Sequence, residues 1–515
     1  MCILILILIL SVCYHKKSPN AIQQIQMICA QLLVDKVCIV LYAFSGLCMV
    51  IIGYQGGDCV RERRGGIDLT QGRISSVLVK FAWPFVAANL VTALHGMISL
   101  LVVGQFTNRD VISGVATGAQ IMSPILSFIM GMGTGGTVLI GRCIGEKDDE
   151  AGTKAVGSFS IVSVIVIVFL TLFMLVCREP LLKLLQTPMQ AMPSASSYVL
   201  LCTIGVPFNI AFGMISAIAR GIGNSRTPSI AAGIGCAVNI TLSLLLVGVF
   251  KLSAAGAAIA ASVAQFSSFI FMALWLYTRK LPVPFTKSDI RVDSKSVKFL
   301  LRVGFPLVLQ DLLVSVAFMI NANRVNILGV EASASVGVVM RVFSIAAVFP
   351  NAIGSAISAM TAQNIGAGKR ERAAESLRWG LLYAIAINTI FCAYSVLRPE
   401  SITALFAWEP DVINGAANYL RSFSIDMIFV AGTFCMNAYL GGCGKSTVSM
   451  WYMLATAFLV RVPLSIYITG LPGLNLNNRM LYLGFASPAA SLVSLIIGLA
   501  YIVWYNKRAT EGIIK

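Results

Sequence analysis

The chain is poor in charged residues, and acidic residues are scarcer than basic ones. Only 11% of its 515 residues are charged, whereas soluble globular proteins carry roughly 25%. Hydrophobic residues make up 57% of the sequence. This composition excludes an ordinary soluble domain and indicates that lipid is the solvent for most of the chain.

Histidine is nearly absent and cysteine is never paired, which argues against most metal and catalytic centres. There are 2 histidines, and none of the 13 cysteines belongs to a CxxC pair. An enzyme needs a clustered set of nucleophile, base or metal ligands. We therefore expect neither an enzyme nor a resident cofactor, and we expect the cysteines to be small buried hydrophobic residues.

The net charge of +17 has two possible explanations. It could attract nucleic acid, but no basic, aromatic-rich binding module is present. The Lys and Arg residues are instead concentrated in loops on one side of the predicted membrane spans. Such loops face the cytoplasm and lie beside anionic lipid headgroups. We expect membrane lipids as partners, no nucleic acid, and both ends of the membrane core in the cytoplasm.

The sequence repeats itself about halfway along. Ile144-Gly145 returns as Ile365-Gly366, and Gly223-Asn224-Ser225 returns as Gly444-Lys445-Ser446, each 221 positions later. A spacing this constant predicts two tandem copies of one structural unit. That arrangement is typical of membrane transporters, with the working site between or within the copies.

Each copy contains six apolar stretches long enough to cross a bilayer, for which about 20 residues are needed. Six spans per copy leave both copies in the same orientation, related by an axis along the membrane normal. We therefore predict an all-α integral membrane protein of twelve helices in two six-helix lobes, with an N-terminal extension. The predicted spans are 76–104, 111–140, 155–177, 196–219, 229–250, 254–278, 299–325, 332–361, 376–397, 415–440, 447–470 and 481–505.

The predicted domain boundaries follow from these spans. Residues 67–278 form the first lobe, 279–298 a cytoplasmic connector, and 299–515 the second lobe with a short tail. Residues 1–66 have no counterpart in the second copy. Val37–Tyr54 is apolar enough for one additional anchoring helix, although the alternative is an appendage that the core does not need.

Two acidic residues fall inside predicted spans, Asp311 and Asp426. An ionised carboxylate at the bilayer centre costs at least ~2.5 kcal/mol, and burial disfavours its charged form. Such a group can exchange a proton for a metal cation, so we predict that both face one cavity and couple to H⁺ or Na⁺. The alternative is that each is a structural partner of an intramembrane arginine, for which Arg341, Arg421 and Arg461 are available.

The first copy has neutral residues where the second has acids. Asn89 corresponds to Asp311, so we expect the coupling groups in the second half, with Gln310 beside Asp311. Further polar residues within the spans are candidates for the substrate cavity. His95 is among them, although a single histidine on an apolar helix is more often hydrogen-bonded to a neighbour. The candidates are Asn89, His95, Ser99, Asn209, Asn321, Arg341 and Arg461.

The glycine-rich segment Gly441–Thr447 imitates the end of a phosphate-binding loop. It lacks the first glycine of that motif, because Tyr439 stands there, and a membrane helix precedes it instead of a strand. Its repeat partner, Arg220–Pro228, favours a tight turn that ends one helix and starts the next. We expect a turn here and no ATP binding.

Several further motifs together resemble the multidrug and toxic compound extrusion (MATE) family over residues 68–505. They are Gly136–Arg142, Arg220–Pro228, Gly304-Phe305-Pro306 with Gln310-Asp311, Ala362–Lys369 and Arg461-Val462-Pro463. The resemblance implies two six-helix lobes and the export of organic cations in exchange for inward H⁺ or Na⁺. Relatives often carry an acid on the seventh helix and another on the tenth, positions that Asp311 and Asp426 can fill. Where many relatives have an Asp late in the first helix, this chain has Ser99.

From these observations we predict a monomeric antiporter of the bacterial cytoplasmic membrane that exports small organic cations. Asp311 and Asp426 are the predicted cation-coupling pair, and Na⁺ is one of the two candidate ions. The alternative is a flippase for a lipid-linked precursor, which would need a cationic cavity for a phosphate headgroup. The intramembrane arginines keep that alternative open.

Overall fold

The computed structural model describes residues 62–63, 66–185, 187–278, 291–407, 409–472 and 475–511. The predicted additional helix Val37–Tyr54 and most of the connector 279–298 lie outside these residues. A two-residue strand pair, β1 (Glu62–Arg63) with β2 (Gly66–Ile67), precedes the first helix.

The first lobe consists of six long helices, as the hydropathy pattern predicts. The fifth of them ends in a π-helical stretch, Leu244–Val249. The helices are α1 (Ile74–Phe106), α2 (Arg109–Glu146), α3 (Asp149–Leu184), α4 (Met192–Gly221), α5 (Arg226–Ser243) and α6 (Ser253–Thr278).

The second lobe repeats this plan with more interruptions. A π-helical stretch, Ala457–Arg461, joins α13 to α14. Its helices are α7 (Ser294–Asn326), α8 (Val330–Ala346), α9 (Val348–Gly366), α10 (Arg370–Leu397), α11 (Pro399–Thr403), α12 (Pro410–Gly442), α13 (Ser446–Thr456), α14 (Val462–Gly470), α15 (Leu476–Gly484) and α16 (Ala486–Thr510).

Within the described residues, twelve helical stretches are long and apolar enough to cross a membrane, which confirms the predicted fold class. Several helices are longer than their predicted spans. The second span, predicted at 111–140, belongs to a helix that ends at Glu146. Hydropathy identifies only the apolar part of a helix, which lies in the hydrocarbon core, whereas the helix itself continues into the polar sequence beyond it.

The glycine-rich segments form turns, as their repeat relationship predicts. Gly223 and Gly444 both have positive φ angles, +91° and +76°, which glycine adopts without the steric cost of a Cβ. Gly444 follows the end of α12, and α13 starts two residues later at Ser446.

The lobes interlock at the end of the molecule where α2 ends and α3 begins, which we call the basic end. The counterpart in the second lobe is the junction of α9 with α10. A Cβ on Gly145 would lie 2.1 Å from the carbonyl oxygen of Gln363. Reciprocally, a Cβ on Gly366 would lie 2.1 Å from the carbonyl oxygen of Arg142. Only glycine permits so close a crossing of two helix backbones.

Residues 66–71, just before α1, connect both lobes at the basic end. The Ile67 N–H donates to the carbonyl oxygen of Gly223 in the first lobe. On the other side, the Leu69 N–H donates to Gln363 Oε1 at 3.3 Å, and Asn364 Nδ2 donates to the carbonyl oxygen of Leu69 at 3.1 Å. Gln363 Nε2 also donates to the carbonyl oxygen of Gly221 at 2.8 Å, so this buried amide of the second lobe bonds both to residues 66–71 and to the end of α4.

The hydrophobic cores also cross between the lobes. Leu78 and Phe81 of α1 belong to a buried cluster with Ile357 of α9 and Leu440 of α12. Leu300 and Val308 of α7 belong to the cluster formed by α2, α3 and α4. The first helix of each lobe therefore packs partly against the other lobe.

Candidate functional site: a polar cavity in the second lobe

Two long helices bring the predicted coupling residues into one cavity. Asp311 and Asp426 lie near the midpoints of α7 and α12, each of which is 33 residues long. Both carboxyl groups line a cavity of about 280 Å³ together with Gln310 and Arg461. Four residues that the sequence singled out thus meet in the second lobe.

The two carboxyl groups differ in access. Asp311 is exposed to the cavity, whereas Asp426 is only 1% exposed. One oxygen of Asp426, Oδ1, is buried without a hydrogen-bond partner among the described residues. Arg461 is a charged neighbour of the Asp426 carboxyl group, and Ser491 is a hydrogen-bonding neighbour of it. A buried acceptor without a donor is costly, and it is where a proton or a cation can bind.

Arg461 is held by an aromatic ring. Its guanidinium carbon lies 4.4 Å from the centroid of Phe318, a cation–π contact. Among the described residues, the three ion pairs within 4.0 Å are Lys154–Glu150, Arg178–Glu179 and Arg421–Glu400. Neither carboxylate of the cavity takes part in them, so no direct arginine pair neutralises Asp311 or Asp426.

Hydroxyl groups complete the lining, and none of them was among the predicted site residues. Ser127 of α2 reaches the cavity from the first lobe. Thr456 of α13 is hydrogen-bonded to Ser494 of α16, and both line the cavity with Ser491 and Thr433. The spacing of Ser491 and Ser494, three residues apart, was a usable signal because it places both on one helix face. Ser127 carried no such signal.

The remaining candidate residues lie elsewhere. Asn321 Oδ1, on α7, is buried without a hydrogen-bond partner among the described residues, but Asn321 is not part of the cavity lining. Arg341 is exposed on α8. In the first lobe, Ser99 Oγ donates to Asn239 Oδ1 at 3.2 Å. Asn89 and Asn209 are partly buried on α1 and α4.

His95 lies on α1, but its side chain is outside the described part of the chain. The proposed Na⁺ ligands, Asp311 and Asp426, are two oxygen donors of the hard type that such a cation prefers. Among the described residues, no group of three or more His, Cys, Asp or Glu side chains is placed to hold a metal ion. Any cation bound here would therefore also need hydroxyl or amide ligands.

Comparison with known proteins places this architecture in a family. The family model described as MatE matches the chain twice, over residues 84–245 and 306–467. These two regions cover more than half of the chain and coincide with the two repeats. The chain belongs to the MATE family. It is accordingly a multi-pass membrane transporter and not an enzyme.

Curated MATE relatives share about a quarter of their residues with this chain. The probable multidrug resistance protein YoeA of Bacillus subtilis is 25% identical over 441 residues, which cover 84% of this chain and 94% of YoeA. The probable multidrug resistance protein NorM of Thermotoga maritima is 25% identical over 405 residues, with coverages of 76% and 85%.

Solved structures show the same fold. One, described as the outward-facing conformation of a multidrug resistance MATE family transporter of the MOP superfamily, superposes with a TM-score of 0.82 at 20% identity. It covers 88% of this chain and 100% of its own. A Pyrococcus furiosus transporter of the same superfamily, described as having a binding pocket of reverse polarity, gives a TM-score of 0.79 at 20% identity. It covers 84% of this chain and 97% of its own.

Proposed function

We propose that this MATE transporter is a secondary antiporter of the bacterial cytoplasmic membrane, which exports small organic cations in exchange for H⁺ or Na⁺. The relatives described as multidrug resistance proteins support the class of substrate. The concentration of Lys and Arg at the basic end supports a cytoplasmic location for that end. The observation that carries the proposal is the pair of acids, Asp311 and Asp426, that line one cavity and take part in none of the ion pairs between described residues.

The different exposures of the two acids suggest an order of events. The entering ion meets Asp311 first, because that carboxyl group is exposed to the cavity. It then reaches Asp426, which is buried and has an oxygen without a donor. Loading of Asp426 neutralises a carboxylate that is buried in a low-dielectric site. Loading therefore favours whichever lobe arrangement keeps that carboxyl group buried.

The interlocked basic end provides the second conformational element. The crossing of α2 with α9 and the hydrogen bonds of residues 66–71 close that end in this structure. Alternating access requires these contacts to open when the lobes rearrange. Ion binding at Asp426 and separation at the basic end are then coupled, because both shift one equilibrium between two lobe arrangements.

Transport in proteoliposomes tests the proposal. Purified protein is reconstituted with a lipophilic cation, and either a pH gradient or an Na⁺ gradient is imposed. We expect one gradient to drive export, and we expect Asp426→Asn to abolish it. Asp411→Asn, at the exposed start of the same helix, is the matched control and should transport normally. Full gradient-driven export by Asp426→Asn would remove Asp426 from the mechanism.

The flippase alternative has one observation in its favour, the cationic side chain of Arg461 in the cavity. It predicts movement of a phosphate-linked lipid across liposomes, and substitution of Arg461 should stop this movement. Lipid movement without gradient-driven cation export would favour the flippase over the antiporter.

A further inference from the structure

A second cavity lies at the basic end of the second lobe and shares no lining residue with the polar cavity. Its volume is about 860 Å³. It is lined by the start of α10 and by the ends of α12 and α16, and we call it the basic pocket. Its basic residues are Lys369, Arg370, Arg372 and Arg378, and its acidic residues are Glu371 and Glu375.

Backbone carbonyl groups hold two of these cations in place, and the cations in the pocket lining outnumber the acids by four to two. Lys369 Nζ donates to the carbonyl oxygen of Thr70 at 3.0 Å, and Arg372 Nη2 donates to that of Gln71 at 2.7 Å. A second nitrogen of Arg372, Nε, is buried without a hydrogen-bond partner among the described residues. Glu375, a charged neighbour of Arg372, accepts a hydrogen bond from Trp379 Nε1 at 3.3 Å.

The equivalent position in the first repeat shows that the fold does not require this charge. There, Asp148 caps α3 by accepting a hydrogen bond from the Ala151 N–H at 2.9 Å, and Asp149 follows it. In the second repeat, the corresponding residues are Lys369 and Arg370, and the side chain of Lys369 caps nothing.

A positive charge at a helix start is unfavourable, because the helix dipole and the free N–H groups there favour an anion. The second repeat thus has a basic helix start where the first has an acidic one, against the electrostatic preference of a helix N-terminus. An anion bound in the pocket would compensate both the cations and the uncapped helix start.

The pocket also lies where lipid headgroups are expected. Tyr505 and Asn506 of α16 form part of its wall. The neighbouring Trp504 and Val503 are exposed, at 44% and 67%, and the guanidinium of Arg508 lies 4.7 Å from the ring centroid of Trp504. Exposed apolar and aromatic residues next to cations at a helix end are typical of the membrane–water interface.

We propose that the basic pocket binds a phosphate group, supplied by the headgroup of an anionic phospholipid. The four cations provide the charge, and the start of α10 provides backbone donors for phosphate oxygens. The apolar face of α16 lies where the acyl chains would run. This site is independent of ion coupling in the polar cavity.

Native mass spectrometry of the purified protein tests the proposal. The probes are phosphatidylglycerol, zwitterionic phosphatidylcholine, and inorganic phosphate with sulfate as the ionic-strength control. The pocket variant is Arg370→Gln with Arg378→Gln, which spares the side chains that bond to residues 70 and 71. The matched control is Lys295→Gln with Lys298→Gln, two exposed cations at the start of α7.

We expect phosphatidylglycerol to bind in preference to phosphatidylcholine, with at least a tenfold weaker affinity in the pocket variant and little change in the control. The Arg370→Lys, Arg378→Lys pair should restore most of the binding and shows that the fold is intact. If inorganic phosphate binds, phosphatidylglycerol does not, and the pocket variant loses the phosphate, the phosphate site would be supported but the lipid would be overturned as its source. Equal losses in both glutamine variants, or no preference for phosphatidylglycerol, would overturn the site itself.

Discussion

The guanidinium of Arg461 lies over the ring of Phe318 and makes no ion pair with the nearby carboxyl group of Asp426. The aromatic ring therefore keeps a cation close to a buried acid without joining the two. This arrangement leaves the acid available to the coupling ion while the positive charge remains in the cavity.

Phe318→Leu should free Arg461 to form an ion pair with Asp426. The lost cation–π contact is worth about 0.5–2 kcal/mol, and the new ion pair would compete with the coupling ion. We expect gradient-driven export in proteoliposomes to fall several-fold, whereas Phe318→Trp should retain it.

The control for this prediction is Phe343→Leu. Phe343 also lines the cavity but packs edge-to-face against Phe423. Unchanged export by Phe318→Leu would show that the position of Arg461 does not matter for coupling.

Asp311→Asn should affect transport differently from Asp426→Asn. Asp311 is exposed to the cavity and is proposed to attract the ion, so its loss should weaken the apparent affinity for the driving ion about tenfold. The maximal rate at saturating ion should remain. Initial rates measured against ion concentration separate the two effects, and a loss of maximal rate alone would contradict the proposed order of binding.

Gly145→Ala and Gly366→Ala should each disrupt the crossing of α2 with α9. The added methyl group would meet backbone, which cannot move aside as a side chain can. We expect a loss of about 1–3 kcal/mol or more in stability, seen as a lower thermal unfolding temperature in detergent.

Gly337→Ala is the control, and it should raise the stability instead of lowering it. Its Cβ would meet nothing within 4 Å on helix α8, and alanine is favoured over glycine inside a helix by roughly 0.5–1 kcal/mol. Equal changes in unfolding temperature for Gly337→Ala and Gly145→Ala would show that the backbones of α2 and α9 do not meet as closely as the structure has them.

Asp293 gives a pH-dependent prediction outside the membrane spans. Hydrogen bonds from the hydroxyl group and then the backbone N–H of Ser296, at 2.7 and 2.8 Å, lower the pKa of Asp293. A carboxyl group whose pKa is lower in the folded state stabilises that state above its unfolded pKa of about 3.9, and the gain disappears as the pH falls through the folded value.

Asp293→Ala should therefore cost about 0.5–1 kcal/mol at neutral pH, the low end for a helix cap because the carboxyl group is accessible to solvent. The gap to the parent protein should narrow below pH 4. Asp293→Ser keeps a neutral cap, so its stability relative to Asp293→Ala should stay constant over that range. Thermal unfolding as a function of pH measures both stability differences. A stability difference between Asp293→Ala and the parent protein that widens in acid would contradict the lowered pKa of Asp293.

Local sequence signals were sufficient for the helices, the repeat and the two acids, because hydropathy and charge act through the solvent around each segment. Asp311 and Asp426 were conspicuous as acids within apolar spans, and their placement along one cavity, away from lipid, follows from the cost of a charge in lipid. The contribution of Ser127 from the other lobe was not predictable. Neither was the π-helical stretch that ends at Arg461. Both depend on how distant helices pack, which no periodicity of a single segment encodes.

The shared cores have a consequence for biogenesis. Leu78 and Phe81 are on the first core helix to leave the ribosome, yet their packing partners on α9 and α12 are synthesised only after the whole first lobe. The apolar face of α1 must therefore wait in lipid or against an insertion factor. A first lobe expressed alone would keep that face uncovered, whereas co-expression of the second lobe as a separate chain would supply the missing surface.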